Sequence, residues 1–131
     1  MGRNTTNGLG VFGFGDWSVQ LKQPHELRLH DVLPIAVEGP SSFDLFGVWA
    51  QNHRAVDHVP EYKRVPQPTA LLDVYNLQVD RERPVIIAGD FNNSAYWDKP
   101  TKAPFAEMVR RYADLGLVSL YHARTRLAPA R

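Results

Sequence analysis

The chain has 131 residues, 44% apolar and 22% charged, with a formal net charge of +1. That length bounds one domain of ordinary globular composition, and the near-neutral charge excludes nucleic-acid or anionic-membrane binding driven by net charge alone. With no cysteine, disulfide frameworks, thiolate catalysis and cysteine-type zinc sites are also excluded. The first twenty residues hold no signal-like apolar run, and nowhere is an apolar stretch long enough to span a bilayer. A cytoplasmic location without membrane attachment is the expectation.

In residues 7–15, apolar side chains alternate with glycines, which reads as a strand or bulged hairpin with close backbone approach. A phosphate-cradling loop would need a following Lys-Ser/Thr and a helix, and neither follows. Residues 17–22 alternate apolar and polar, the period of a strand with one solvated face, and Pro24 closes them. A short apolar run at 33–37 leads into the turn cluster Gly39-Pro40-Ser41-Ser42. Residues 43–50 are apolar on both alternating faces, with Phe43, Leu45 and Trp49 on one and Phe46, Val48 and Ala50 on the other. That pattern marks a central strand.

Residues 51–68 turn polar and read as a long surface loop. His53, Asp57 and His58 lie there, but the two histidines are five apart rather than four, so a solvated loop is preferred to a metal site. A helical pattern opens at Pro68-Thr69-Ala70 with Thr69 as cap; Ala70, Val74 and Leu77 form a stripe that Leu71 and Tyr75 widen. The charged run 80–83 and Pro84 end that helix. Residues 85–88 then read as a strand buried on both faces. The loop 94–100 carries Tyr96 and Trp97, for which packing on the strand end is preferred to stacking on a nucleobase. A second helix is expected over 103–115, with Phe105, Met108, Val109 and Tyr112 on one stripe, Glu107, Arg110 and Arg111 facing water, and Gly116 closing it. Residues 117–122 read as a further extended segment.

The chemistry concentrates where the 85–88 run meets Gly89-Asp90-Phe91-Asn92. Ligands tend to bind at the carboxyl edge of such strands. With Phe91 pointing away, Asp90 and Asn92 share a side. Asp90 could then act as general base on a water or hold a hard divalent cation, and Asn92 could donate to a phosphoryl oxygen. The alternative is a simple Asx-turn after a glycine, and the residues alone leave both open.

The run Ile86-Ile87-Ala88-Gly89-Asp90-Phe91-Asn92 resembles the Gly-Asp-Phe-Asn motif of the endonuclease/exonuclease/phosphatase superfamily, which includes exonuclease III-like and deoxyribonuclease I-like enzymes. Gly8-Leu9-Gly10-Val11-Phe12, residues 43–50 and residues 117–122 resemble flanking stretches of that family in the same order. The resemblance implies an α/β (α+β) fold, a four-layer αββα sandwich of mixed sheets with flanking helices, and Mg²⁺ (or Mn²⁺)-dependent hydrolysis of a phosphoester, nucleic acid included. It assigns Asp90 to the attacking water and Asn92 to the phosphate, and leaves the metal ligands unknown. Where the family places a phosphate-touching Tyr or His, this chain has Trp49 or its neighbours, so that role is not carried over. The family's upstream metal-binding Glu and its closing Ser-Asp-His find no match here, and His122 is not that histidine.

The expectation is therefore a single truncated domain over 1–131, lacking the family's N-terminal strands and its Ser-Asp-His segment. Such a chain would be inactive or weakly active alone, and would self-associate or pair with a complementary fragment to cover its exposed sheet face. The alternative is a non-enzymatic binding or interaction domain that uses the 51–68 loop as its contact surface.

Overall fold

The computed structural model describes residues 8–50 and 65–127. Four strands form one mixed sheet in the order β1 (Ser18–Leu21), β2 (Val32–Glu38), β3 (Phe43–Trp49), β4 (Val85–Asp90). Neighbouring pairs β1–β2 and β2–β3 are antiparallel, and β3–β4 is parallel. The 39–42 cluster joins β2 to β3 as the short connection an antiparallel pair permits. Between the parallel β3 and β4 the chain carries α1 (Gln67–Val74), as parallel pairing requires a crossover. After β4 come a 3-10 turn (Ala95–Trp97), α2 (Pro104–Asp114) and α3 (Leu120–Leu127). A mixed α/β class is thus what the chain adopts.

One face of the sheet carries the core. Val32, Phe46, Val48 and Ala50 meet Leu29 and the α1 residues Ala70, Leu71 and Leu72, all of them buried. Phe46 and Leu71 are fully enclosed, and each such side chain contributes roughly 2–3 kcal/mol of burial. The Tyr75 ring lies 5.1 Å from that of Phe46 and tightens the α1 contact. The β3 alternation expected from the sequence is therefore observed, with β3 central between β2 and β4.

The other face is covered only in part. Residues 8–14 form no strand, against expectation; they cross this face instead of joining the ladder. A methyl group on Gly47 would stand 3.3 Å from Leu9 Cδ2 and 3.6 Å from Val11 Cγ2, while Phe12 and Phe14 point into solvent. With no ladder partner, a Gly-rich segment has little to hold it extended.

β4 is an edge strand, not one buried on both faces. Val85 and Ile87 pack toward the core, but Ile86 is 44% exposed and Ala88 is also exposed. Among the described residues no fifth strand lies beyond it, and the partial layer over its second face leaves Ile86 in water.

The helix boundaries differ from expectation for local reasons. α1 starts at Gln67 with Pro66 as its N-cap residue, so Thr69 is not a cap; it sits inside the helix, buried, its hydroxyl without a partner among the described residues. Prolines at 66 and 68 suit a first turn whose N–H groups would be unbonded anyway. The helix also ends at Val74, well before the charged run. Asn76 takes φ 48°, its N–H bonds to Asp73 O (3.0 Å), and Leu77 N–H bonds to Leu72 O (2.9 Å). That is a Schellman closure with Asn in the place usually held by Gly. Gly116 closes α2 in the same way, as expected, with Leu117 N–H bonded to Tyr112 O at 2.9 Å.

Within α2, Met108 is buried and Tyr112 meets the Phe91 ring, but Val109 is exposed, so the apolar stripe is narrower than its sequence. Asp98 supplies the cap that Ala103 cannot, accepting from the Phe105 and Ala106 N–H groups at 2.9 Å each. Residues 120–122 are helical rather than extended. Ser119 starts that helix: its hydroxyl accepts from the His122 N–H (3.4 Å) and meets His122 Nδ1 (2.9 Å).

Candidate functional site at one end of the sheet

β3 and β4 run parallel and β2 runs against them, so the end of β3, the end of β4 and the start of β2 share one edge. Trp49 is the hinge of that row. Its N–H donates to Asp31 O at 2.9 Å, it is the ladder partner of Asp90, and Ala50 N–H donates to Asp90 O at 2.8 Å. Asp31, Trp49 and Asp90 therefore stand side by side.

Gly89 makes the turn into the site. It has φ 141°, and a Cβ there would fall 1.9 Å from Val48 O, so no side chain fits. The chain then bends so that Asp90 Oδ1 accepts the Asn92 N–H at 3.0 Å, an Asx-turn, with Asn92 at φ 43°. Asn tolerates this left-handed conformation better than most residues. Phe91 faces the other way, its ring 6.4 Å from Tyr112. Asp90 and Asn92 share a side, as the alternation requires.

Asn92 Nδ2 donates to Ala50 O at 2.5 Å and to Asp90 Oδ2 at 3.2 Å. Because Ala50 O only accepts, the nitrogen side of the amide must face it, and both of its hydrogens are engaged. Donation by Asn92 to a phosphoryl oxygen would thus replace the longer bond, the one to Asp90. Asp90 itself is exposed and has no Lys or Arg partner among the described residues.

A hard divalent cation would meet one exposed carboxylate here, with Asn92 Oδ1 beside it. Among the described residues no group of three His, Cys, Asp or Glu side chains is placed to bind a metal. Such a donor set suits a cation that keeps most of its waters and shares the rest of its coordination with a phosphate, as Mg²⁺ does. His53, Asp57 and His58 lie outside the described residues, in the 51–64 stretch that begins just beyond Ala50.

Two features of this edge escape sequence reasoning. The first is a cluster of buried Asp31 and Gln67 with exposed His30, in which His30 Nδ1 lies 2.7 Å from Asp31 Oδ1 and Gln67 Nε2 3.0 Å from Asp31 Oδ2. Gln67 is separated from the other two by the whole of β2 and β3, so no spacing rule reveals it. Its only sequence signal is an Asp placed directly before an apolar run. His30 also lines a shallow depression of about 220 Å³ with His25, Leu9 and Leu27. The nearby Glu26 carboxylate is turned to Arg28, whose hydrogen bonds pull it down to about 2. The second feature is the aromatic turn: Tyr96 is 96% exposed and Trp97 54%. Tyr96 does not take up the expected packing, its ring standing in solvent, while Trp97 is half-exposed.

The chain matches no family model, and no similar curated protein or solved structure was found. No helix among the described residues is long and apolar enough to cross a membrane.

Proposed function

We propose that this chain carries the water-activating edge of a divalent-metal-dependent phosphoester hydrolase of the endonuclease/exonuclease/phosphatase type, acting on phosphodiesters, nucleic acid among them. The observation that supports this is the Asp90–Asn92 pair: an exposed carboxylate without a cationic partner, bonded to a carboxamide on the same side of a strand end. The Asx-turn occupies Oδ1 and leaves Oδ2 as the oxygen that orients or deprotonates a water. Asn92 exchanges its 3.2 Å bond to Asp90 for a phosphoryl oxygen when substrate binds, which frees Oδ2 at the same moment. Mg²⁺ or Mn²⁺, when bound, supplies polarisation of the phosphate, with Asp90 and Asn92 Oδ1 as the donors this edge offers.

In this reading the sheet is one half of a four-layer αββα sandwich. Support comes from the asymmetry of its faces: α1 seals one, while the other leaves Leu21 40% and Ile86 44% exposed. A second sheet, from another copy or a complementary chain, covers that face. A monodisperse monomer in sedimentation at tens of micromolar contradicts this pairing.

Titration of Mg²⁺ or Mn²⁺ against bis-p-nitrophenyl phosphate tests the chemistry. Weak metal-dependent turnover that disappears in Asp90→Ala supports the hydrolase; turnover unchanged in that variant contradicts it. The second reading, a non-catalytic binding domain, is favoured by the exposed Tyr96 beside the Asx-turn. Absence of turnover in both proteins is the result it shares with an inactive fragment, and contradicts an active hydrolase in this chain.

A further inference from the structure

Asp31 is the second carboxylate of the Asp90 edge, and its bonding decides what the adjoining histidine can do. Gln67 grips it twice, donating from Nε2 to Oδ2 at 3.0 Å and accepting the Asp31 N–H on Oε1 at 2.9 Å. Oδ1 is left for His30 Nδ1, at 2.7 Å. A carboxylate only accepts, so Nδ1 carries the proton of that bond and the outer nitrogen, Nε2, is the one free to exchange a proton. The exposures divide the same way: the His30 side chain is 55% exposed and that of Asp31 8%. Docking α1 against β2 needs only the Gln67–Asp31 pair; the third contact fixes the imidazole.

The row Asp31, Trp49, Asp90 sets His30 two strand spacings from the Asp90 end, about 10 Å between backbones. In-line displacement at phosphorus places attacking and leaving oxygens on opposite sides. A base on the water and an acid on the leaving oxygen, each at hydrogen-bond reach, then stand roughly 9 Å apart. The backbones at the two ends of this row, Asp31 beside His30 and Asp90, are spaced by about that distance.

We propose that His30, positioned by Asp31 and Gln67, is the acid that protonates the leaving oxygen when a phosphodiester is cleaved at the Asp90 edge. This rests on the hydrolase reading above. A water oxygen bonds to phosphorus and its proton passes to Asp90. The phosphorus–oxygen bond on the far side breaks, its electron pair stays on the departing oxygen, and that oxygen takes the proton from His30 Nε2. The products are a phosphomonoester and an alcohol; Asp90 then releases its proton to water and His30 regains one from it.

The test compares two diesters with Mg²⁺ in the full chain. Bis-p-nitrophenyl phosphate expels a stable anion that needs no proton, whereas a dinucleoside phosphate expels an alkoxide that does. His30→Ala lowers kcat on the dinucleoside phosphate by about 100-fold and changes the p-nitrophenyl ester by no more than about threefold. Asp31→Asn keeps the side-chain volume and shows the same leaving-group selectivity with a smaller loss, about tenfold, because the imidazole loses its fixed tautomer. Equal losses on both esters in these variants mark a structural role and overturn the assignment while leaving the hydrolase reading intact. Turnover of both esters untouched in Asp90→Ala, or no metal-dependent turnover by the wild type, overturns the hydrolase reading and the role of His30 with it.

Discussion

The two ends of the four-stranded sheet hold the same residue types and use them in opposite ways. At the end where β3 and β4 begin, Asp44 is buried, and Lys22 reaches over β2 to pair with it. Arg83 meets the other oxygen of Asp44 at 3.1 Å, donates to Val37 O and Phe43 O at 3.0 and 3.2 Å, and pairs with Glu38 at 2.7 Å. Each of these four charges has an opposite partner. At the end where β3 and β4 finish, Asp31 and Asp90 are held by amides, Gln67 and Asn92, and neither has a Lys or Arg partner among the described residues. Amides orient a carboxylate without neutralising it. One end neutralises its carboxylate with cations, and the other orients its carboxylates with amides and gives them no Lys or Arg partner among the described residues.

The largest effect is expected at the turn between these roles. Gly89→Ala places a methyl group 1.9 Å from Val48 O, inside any tolerable contact. A loss of about 4 kcal/mol or failure to fold follows, read by urea denaturation. Asp44→Ala comes next. It strands Lys22 and Arg83 beside a buried gap and costs about 3 kcal/mol, whereas Asp90→Ala, which loses an exposed turn bond, costs less than about 1 kcal/mol. Equal costs at 44 and 90 would erase the distinction between the ends.

Tyr112 sharpens the comparison from the side of pH. Burial pushes its phenol above the ordinary value near 10, and its hydroxyl donates to Pro68 O at 2.6 Å. The unfolded chain therefore loses this proton first as pH rises. The Tyr112 contribution is complete below about pH 10 and falls above it; Tyr112→Phe removes that part of the alkaline loss, leaving the part from Tyr75, whose phenol burial also raises, and costs about 1 kcal/mol at neutral pH. The smallest effect is at Thr69, whose buried hydroxyl has no partner among the described residues. Thr69→Val is neutral or stabilises by up to about 1 kcal/mol in thermal melts.

What the sequence made legible follows from how local each cause is. The alternation of 43–50, the Gly-Asp-x-Asn strand end, the 104–114 helix and its Gly116 closure all rest on residues within one element. Most of the misses rest on distant partners. β4 reads as fully buried because its apolar run does not say what covers its second face. Residues 8–14 alternate like a strand but pack across a face, a difference set by Gly47 far along the chain. One miss is local: α1 ends at Val74 because Asn76 takes the left-handed place where Gly is the usual signal. At the candidate site, Asp90 and Asn92 stand two positions apart in one motif and are legible in the sequence. His30, Asp31 and Gln67 meet only once the sheet is folded, and are not.

The central claim is that Asp90 serves chemistry and not stability. Its direct test is hydrolysis of bis-p-nitrophenyl phosphate over a Mg²⁺ titration, wild type against Asp90→Ala, with the melting curve of each protein recorded alongside. The account predicts coincident melts and a metal-dependent rate that falls by at least about 100-fold in the variant. Metal-dependent hydrolysis that continues at the wild-type rate in Asp90→Ala would contradict it.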